Sequence, residues 1–160
     1  HGLGGRAADA RIETALARLD MAERADEKAR ALNGGHRRRT EIARALLHAP
    51  RVLLLDEPTS SLDLKNQVEI LGLIRRVVRE HRIAAVMTMH DLNTALRYAD
   101  KCIFLKGGRI HAAGSTMTVA ARTIEEVYGL PVEIHRKNGY PIVIPKDHPE
   151  RSRDHDLHLS

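Results

Sequence analysis

Aromatic residues are scarce in this chain of 160 residues. It contains no tryptophan, one phenylalanine and three tyrosines, so its core has to be built from aliphatic side chains. The same scarcity argues against a protein that binds single-stranded nucleic acid, because such proteins stack the bases on aromatic rings.

Cysteine and long apolar runs are scarce as well. The single cysteine, Cys102, cannot form an internal disulfide, which is typical of a protein in a reducing compartment. No apolar stretch approaches the roughly 18 residues needed to span a bilayer, and no signal-peptide pattern is present. We expect a soluble protein and, because the first residue is His1 rather than methionine, a fragment of a longer one.

The charge balance is basic, with a formal net charge of +5 and an isoelectric point near 9.7. Such a balance is compatible with phosphate ligands, nucleic acid or an anionic membrane face. The positive residues are scattered among 21 acidic ones, so the balance alone selects none of these three.

Hydrophobic periodicity predicts an α/β fold. A strand, a helix of about eighteen residues and a second strand form a βαβ unit, which requires the two strands to be parallel. The predicted segments are a glycine-rich loop at 1–9, helices at 10–21, 37–48, 64–80 and 92–99, strands at 52–55 and 83–89, a helical turn or two at 123–128, hairpins at 101–113 and 132–144, and a disordered tail from 147.

Two adjacent carboxylates follow the first predicted strand. Residues 52–55 are four aliphatic residues without alternation, typical of a strand buried on both faces of a parallel sheet. Asp56 and Glu57 then lie at its carboxyl end, where open α/β sheets place ligands. One carboxylate can hold a hydrated Mg²⁺ while its neighbour orients or deprotonates a water. A strand end that is merely acidic is the alternative.

A pair of glycines precedes the second predicted helix. Gly34 and Gly35 leave backbone N–H groups free to approach an anion, aided by the helix dipole. Asn33 is a plausible cap for this helix, and a plain capped turn is the alternative reading. The basic run at 37–39 splays around the helix axis, so we expect a solvated face there.

Four segments together resemble the motifs of ABC-transporter ATPases, in the family's order over roughly residues 30–115. Residues 32–37 (LNGGHR) resemble the LSGGQ signature, and residues 52–57 resemble the Walker B strand. Residues 60–63 resemble the D-loop, and His90 stands where the switch histidine follows the next strand. Each motif is weak alone, whereas the set is specific.

The resemblance implies a P-loop NTPase-like fold, a parallel sheet with flanking helices, that lacks its amino-terminal part and adds carboxyl-terminal β-hairpins. It also implies ATP and Mg²⁺ as ligands, with Glu57 polarising the attacking water and His90 sensing the γ-phosphate. Asp63 would help couple two nucleotide sites across a dimer, although it is also suited to cap the next helix. The residues that the resemblance assigns are Glu57 and His90 for catalysis, Asn33, Gly34, Gly35, His36 and Asp63 for ATP, and Asp56 for Mg²⁺ through water.

The phosphate cradle of this family is missing. The chain contains no Gly-Lys dipeptide, so it has no G-x-x-x-x-G-K-[ST] P-loop. Its only glutamine, Gln67, lies within a predicted helix and cannot be the Q-loop residue. By resemblance the chain matches the carboxyl-terminal part of the domain, and we expect the 160 residues alone to be inactive. Within the signature, Asn33 replaces the usual serine and His36 the usual glutamine.

The expected plan is a partial ATPase domain over 1–146 and a disordered tail over 147–160. A helical subdomain with the signature (1–49) would precede the catalytic core (50–114) and a carboxyl-terminal extension (115–146). The implied partners are a second ATPase subunit in a homodimer, transmembrane permease subunits and, indirectly, a periplasmic or surface substrate-binding protein, with no nucleic acid. The implied location is peripheral, on the cytoplasmic face of the inner membrane.

Two segments indicate a substrate class by resemblance alone. Residues 125–145 and the Met-His-Asp-Leu-Asn run at 89–93 are similar to ATPase subunits of importers for iron-siderophore complexes, haem or cobalamin. One alternative is a non-catalytic partner module. Another is an ABC ATPase of DNA repair or translation, which the short 64–90 segment disfavours because those proteins usually carry long insertions or tandem domains.

Overall fold

A computed structural model describes residues 5–24 and 33–146. The described residues form two compact units, which divide between residues 90 and 91. The predicted tail at 147–160 lies outside the described residues, as does Leu32, the first residue of the signature-like segment. No helix within the described ranges combines the length and apolar character needed to cross a bilayer.

Where the structure describes it, the first unit holds three α-helices and a two-stranded parallel sheet. Its elements are α1 (Gly5–Arg18), α2 (Gly34–Leu46), β1 (Val52–Leu55), α3 (Leu64–His81) and β2 (Ala84–Met87), with a 3₁₀ turn at Ala22–Arg24. Leu55 of β1 pairs with Met87 of β2, so both strands end at the same edge of the sheet. The predicted βαβ unit with parallel strands is therefore confirmed.

Aliphatic side chains form the core of this unit, as the scarcity of aromatics predicts. Leu19 and Met21 after α1 are buried, together with residues from one stripe of each of the other two helices. Those helical residues are Ile42, Ala43, Leu46, Ile70, Leu71, Leu73, Ile74 and Val77.

Strand β1 is buried on one face only, so the expectation of burial on both faces is wrong for the described residues. Leu53 is 2% exposed, whereas Leu54 is 74% exposed. Successive side chains of a strand point to opposite faces, and β1 has a single strand neighbour, β2, among the described residues. Val52 and Val86 are also exposed.

Two helices begin earlier than predicted. Helix α1 starts at Gly5 inside the predicted loop at 1–9, because the Arg-Ala-Ala run that follows Gly5 favours helix. Helix α2 starts at Gly34, because the Asn33 side chain caps it by accepting a hydrogen bond from the His36 amide at 2.9 Å. The predicted cap is thus confirmed, and the two glycines form the first turn.

The second unit contains two short helices and two β-hairpins. Its elements are α4 (Leu92–Tyr98), β3 (Lys101–Lys106), β4 (Arg109–Ser115), α5 (Ala121–Tyr128), β5 (Val132–Lys137) and β6 (Tyr140–Pro145). Both predicted hairpins are confirmed. The turn of the second one places Asn138 and Gly139 at φ 52° and 82°, the left-handed region that a two-residue hairpin turn needs. The core side chains of this unit are Leu96, Phe104, Ile124, Val132 and Val143.

Candidate functional site

Asp56 and Glu57 lie at the carboxyl edge of the β1–β2 sheet, joined by the side chain of Thr88. The Thr88 hydroxyl donates to Asp56 Oδ1 at 2.6 Å and accepts from the Glu57 amide at 2.9 Å. Thr88 comes directly after β2, so the parallel pairing of the strands brings it beside the two acids. One hydroxyl thus fixes the Asp56 side chain and the Glu57 backbone together.

The backbone of Glu57 has a conformation that residues other than glycine rarely adopt. Its φ is 45°, in the left-handed region, which costs a non-glycine residue about 1–2 kcal/mol. Hydrogen bonds offset this cost, because the Glu57 carbonyl accepts from the Ser60 amide at 3.0 Å and from Arg38 Nη2 at 3.3 Å.

The Glu57 carboxylate meets His90. His90 Nε2 donates to Glu57 Oε1 at 2.6 Å, with the His90 side chain 84% and the Glu57 side chain 41% exposed. The pair is open to solvent and to a ligand. A carboxylate held by an imidazole can accept a proton from a water, and the imidazole can turn to an anion.

The signature-like residues form a second cluster at the start of α2. Asn33 Oδ1 is engaged in the cap, whereas its amide nitrogen has no partner among the described residues. Gly35 is buried against α3, since a Cβ at this position would lie 2.6 Å from Asn66 Oδ1. At Gly34 a Cβ would lie 3.1 Å from a methyl of Leu62. The signature-like turn therefore packs on the segment that resembles the D-loop.

Asp63 caps helix α3. Its side chain accepts from the Asn66 amide and from Asn66 Nδ2, both at 2.8 Å. These hydrogen bonds, led by the one from the Asn66 backbone, hold the pKa of Asp63 below its usual value. The predicted capping role is confirmed, and the Asp63 carboxylate stays ionised and exposed.

The expectation that residues 37–39 form a solvated face is wrong for two of the three arginines. Arg38 donates to Glu41 at 2.6 Å as well as to the Glu57 carbonyl, and its side chain is only 24% exposed. Arg39 is 15% exposed and contacts Glu69 at 3.0 Å and the Leu19 carbonyl at 3.1 Å. A helix turns about 100° per residue, so neighbouring arginines face different surroundings, and only Arg37 is exposed.

Sequence reasoning missed Thr88 and Arg38. Thr88 lies inside the strand predicted over 83–89, whereas the observed β2 ends at Met87, so its place at the sheet edge was not visible from the predicted elements. Arg38 carried no signal, since its contact depends on the turn that follows β1. The structure thus brings Asp56, Glu57 and His90 into one cluster and the signature-like residues and Asp63 into another.

The residues at the sheet edge fit a hydrated magnesium ion. Among the described residues no group of three or more histidine, cysteine or acidic side chains is placed to hold a metal ion. Mg²⁺ keeps several waters and is usually bound by one or two carboxylates plus substrate phosphates. The exposed Asp56, with one oxygen on Thr88, offers such a ligand.

Residues 4–60 match the family model described as ABC transporter. The chain is 46% identical over 114 residues to an uncharacterised ABC transporter ATP-binding protein of Methanocaldococcus jannaschii, covering 71% of this chain and 45% of that protein. It is 41% identical over 152 residues to a hemin import ATP-binding protein of Streptomyces coelicolor, covering 91% and 54%. A phosphonates import ATP-binding protein of Stutzerimonas stutzeri is 37% identical over 119 residues, covering 74% and 43%. Others are named for import of cobalamin or aliphatic sulfonates.

Solved structures match the fold. One, described as an inward-facing ABC transporter of metal-chelate type, superposes with a TM-score of 0.77 at 26% identity, covering 86% of this chain and 57% of that one. A bacterial ABC transporter cassette solved as a dimer gives 0.60 at 32% identity, covering 72% and 50%.

The chain spans about half the length of the curated relatives that it matches. The family model, these relatives and the solved structures all describe ABC transporter proteins. The chain therefore corresponds in sequence to part of an ABC transporter ATP-binding domain, and it has the P-loop NTPase fold of that domain.

Proposed function

We propose that the chain is part of the ATP-hydrolysing subunit of an ABC importer and supplies that subunit's Walker B, switch-histidine and signature elements. The observation that carries the proposal is the cluster of Asp56, Glu57, Thr88 and His90 at the carboxyl edge of a parallel sheet. Open α/β sheets bind ligands at this edge.

In this proposal Glu57 is the general base. Its carboxylate accepts a proton from water as the water oxygen attacks the γ-phosphorus, and the bond from phosphorus to the β–γ bridging oxygen breaks to give ADP and phosphate. The positive φ of Glu57 and the Thr88 hydrogen bond hold the base where the strand ends. His90 orients the Glu57 carboxylate and donates to the γ-phosphate when nucleotide is present.

Asp56 would hold Mg²⁺ through water, with Thr88 fixing one of its oxygens. When bound, the ion neutralises charge that develops on the phosphate oxygens. The signature-like turn would contact the γ-phosphate of the second subunit's nucleotide through the Asn33 amide nitrogen and the backbone N–H groups of Gly34 and Gly35. His36 and Asp63 would lie beside it at the same dimer interface.

A complete site also needs a P-loop, which this sequence does not contain. We therefore infer that the 160 residues alone do not hydrolyse ATP and act with a P-loop from further sequence. The implied assembly is a dimer of ATPase subunits on the cytoplasmic face of the membrane, joined to permease subunits and, through them, to a substrate-binding protein.

For the cargo we propose an iron complex such as haem or a ferric siderophore, or cobalamin. Coverage supports haem within this class, because the hemin import relative matches 91% of this chain, whereas the phosphonates relative matches 74% and the cobalamin relative 68%. Siderophore complexes and cobalamin rest on the resemblance of residues 89–93 and 125–145. Uptake of radiolabelled haem, ferric siderophore, cobalamin and phosphonate by cells with and without the gene tests this class. Loss of phosphonate uptake alone would overturn it.

The test of the catalytic assignment is Glu57→Gln in the protein as its gene encodes it, together with any partner that supplies the P-loop. Hydrolysis should fall by about 100-fold or more, as expected for removal of a general base, while binding of a fluorescent ATP analogue persists. Glu80→Gln, the same change at an exposed position of α3, is the matched control and should leave the rate unchanged. Retention of activity in Glu57→Gln would show that another group is the base.

A further inference from the structure

Arg38 joins helix α2 to the turn that follows β1. Its Nη1 donates to Glu41 Oε2 at 2.6 Å, and its Nη2 donates to the Glu57 carbonyl at 3.3 Å. Glu41 is on the same helix, one turn further along. Because a guanidinium presents its N–H groups in a rigid planar fork, the hold on Glu41 helps to direct the other nitrogen at Glu57. The Arg38 side chain is 24% exposed, so it is largely enclosed by protein.

The turn at Glu57 depends on contacts of this kind. Its φ of 45° lies in the left-handed region, which persists in a residue other than glycine only where the surroundings hold it. The Glu57 carbonyl accepts from the Ser60 amide as well as from Arg38, and the Glu57 amide donates to the Thr88 hydroxyl. The donor in Arg38 is ionised, and such hydrogen bonds are roughly twice as strong as neutral ones. We therefore expect Arg38 to contribute a large share of the hold on this turn.

The backbone conformation at Glu57 sets the place of its carboxylate. A side chain moves with the backbone that carries it, so relaxation of φ to the ordinary negative region would move the carboxylate relative to the sheet edge. In the structure Glu57 Oε1 accepts from His90 Nε2 at 2.6 Å. The proposed reaction needs this carboxylate within hydrogen-bond reach of the attacking water. A contact that fixes the Glu57 backbone therefore fixes the proposed base.

Helix α2 is a firm support for Arg38. Ile42, in the middle of the helix, is fully buried in the core. Arg39, the neighbour of Arg38, donates to Glu69 of α3 at 3.0 Å. These contacts, like the one at Glu57, lie within the first unit. The guanidinium therefore approaches the turn from a helix that is itself fixed on α3.

We propose that Arg38 is a positioning residue for Glu57, which makes the helix that carries the signature-like turn a support of the hydrolytic base. Arg38 acts on the Glu57 carbonyl and contacts neither the attacking water nor the nucleotide. The signature-like turn lies one turn earlier on the same helix. In the proposed dimer, α2 would thus present donors to one nucleotide and hold the base for the other. The inference rests on the proposed role of Glu57.

The experiment compares Arg38→Met with Arg44→Met, the same change at an exposed position of α2. Both are made in the protein as its gene encodes it, with any partner that supplies the P-loop. In Arg38→Met the kcat for ATP should fall about fivefold or more, since small misplacement of a catalytic group is costly, with KM for ATP within about twofold. Arg44→Met should change neither constant.

A double-mutant cycle with Glu57→Gln separates positioning from general destabilisation. If Arg38 acts through Glu57, Arg38→Met should cause no further loss of kcat in the Glu57→Gln background, whereas independent effects would multiply. Arg38→Lys should keep more activity than Arg38→Met, because its ammonium can still donate to the carbonyl. Losses that multiply, or an equal loss of kcat in Arg38→Lys and Arg38→Met, would overturn the proposal.

The carbon resonance of the Glu57 carbonyl gives a readout that does not need hydrolysis. It should shift in Arg38→Met, where the carbonyl loses a donor, and stay in place in Arg44→Met. The Ser60 amide, which donates to the same carbonyl, should exchange its hydrogen about threefold faster or more in Arg38→Met as the turn loosens. If both changes occur but the wild-type protein does not hydrolyse ATP, the proposed function fails and the positioning of Glu57 by Arg38 stands. If the resonance and the exchange rate in Arg38→Met equal those of the wild type, the positioning fails.

Discussion

Gly35 shows at the scale of one residue how the signature-like turn is tied to its neighbour. A Cβ there would lie 2.6 Å from Asn66 Oδ1 and 3.2 Å from Asn66 Cγ. The Asn66 side chain cannot move away freely, because its Nδ2 donates to Asp63 at 2.8 Å. Close packing of α2 on α3 therefore requires glycine at this position for its size rather than for its φ.

We predict that Gly35→Ala destabilises the protein by about 1 kcal/mol or more, because overpacking outweighs the helix preference of alanine. The matched control is Gly72→Ala. Gly72 is an exposed glycine inside α3, and a Cβ added there would have no described neighbour within 4 Å, so alanine should stabilise by about 0.5–1 kcal/mol. Urea unfolding of both variants measures the difference in stability. A gain in stability in both would show that the Asn66 side chain can move away from the added methyl group without cost.

Residue-level prediction from sequence succeeds where the cause is local. The Asn33 cap, the Asp63 cap and the Asn138–Gly139 turn each depend on groups within three residues along the chain. It fails for Arg38, whose contact with the Glu57 carbonyl joins positions 19 residues apart. The hydrogen bonds between the Asn93 side chain and the Val143 backbone span 50 residues and likewise leave no local pattern.

At the scale of a whole element, strand β1 differs between the burial that its sequence predicts and the burial that is observed. Four aliphatic residues in a row predict burial on both faces, yet the described residues cover only the face that holds Leu53. The sequence of a strand is suited to every element that packs on it in the working protein, whereas its exposure is measured against the described residues alone. The apolar face with Val52, Leu54 and Val86 is therefore consistent with further sheet or helix in the working protein.

We predict that Leu53→Ala in this chain costs about 2–5 kcal/mol, the range for deleting a buried leucine side chain. Leu54→Ala, the same change one position along the strand, should cost no more than about 0.5 kcal/mol, because its side chain is already solvated. Thermal or urea unfolding of the 160-residue chain checks both values. In the protein with its P-loop segment, Leu54→Ala should become as costly as Leu53→Ala. A loss of stability in Leu54→Ala that is as small there as in the 160-residue chain would contradict burial of β1 on both faces.

At the scale of the whole chain, the family motifs are confined to the first unit. Every residue to which the resemblance assigns a catalytic, ATP-binding or metal role lies between 33 and 90. The second unit, from residue 91, holds α4, α5 and the two hairpins. The order and spacing of these motifs are what made the fold predictable from sequence. The missing P-loop was equally visible, because its glycines and lysine form a contiguous pattern.

ATP binding by the 160-residue chain alone should be weak. Without a P-loop the exposed sheet edge and signature-like turn offer a nucleotide few contacts, so millimolar Mg²⁺-ATP should raise the melting temperature by no more than about 1 °C. The same chain joined to a P-loop-bearing segment should gain about 2.7 kcal/mol in the free energy of unfolding when Mg²⁺-ATP is at 100 times its Kd. Each kcal/mol should raise the melting temperature by about 2–4 °C. Scanning fluorimetry with Mg²⁺-ATP and with Mg²⁺ alone makes the comparison. A shift of several degrees in the 160-residue chain would show that these motifs hold nucleotide without the P-loop and would contradict the shared site proposed above.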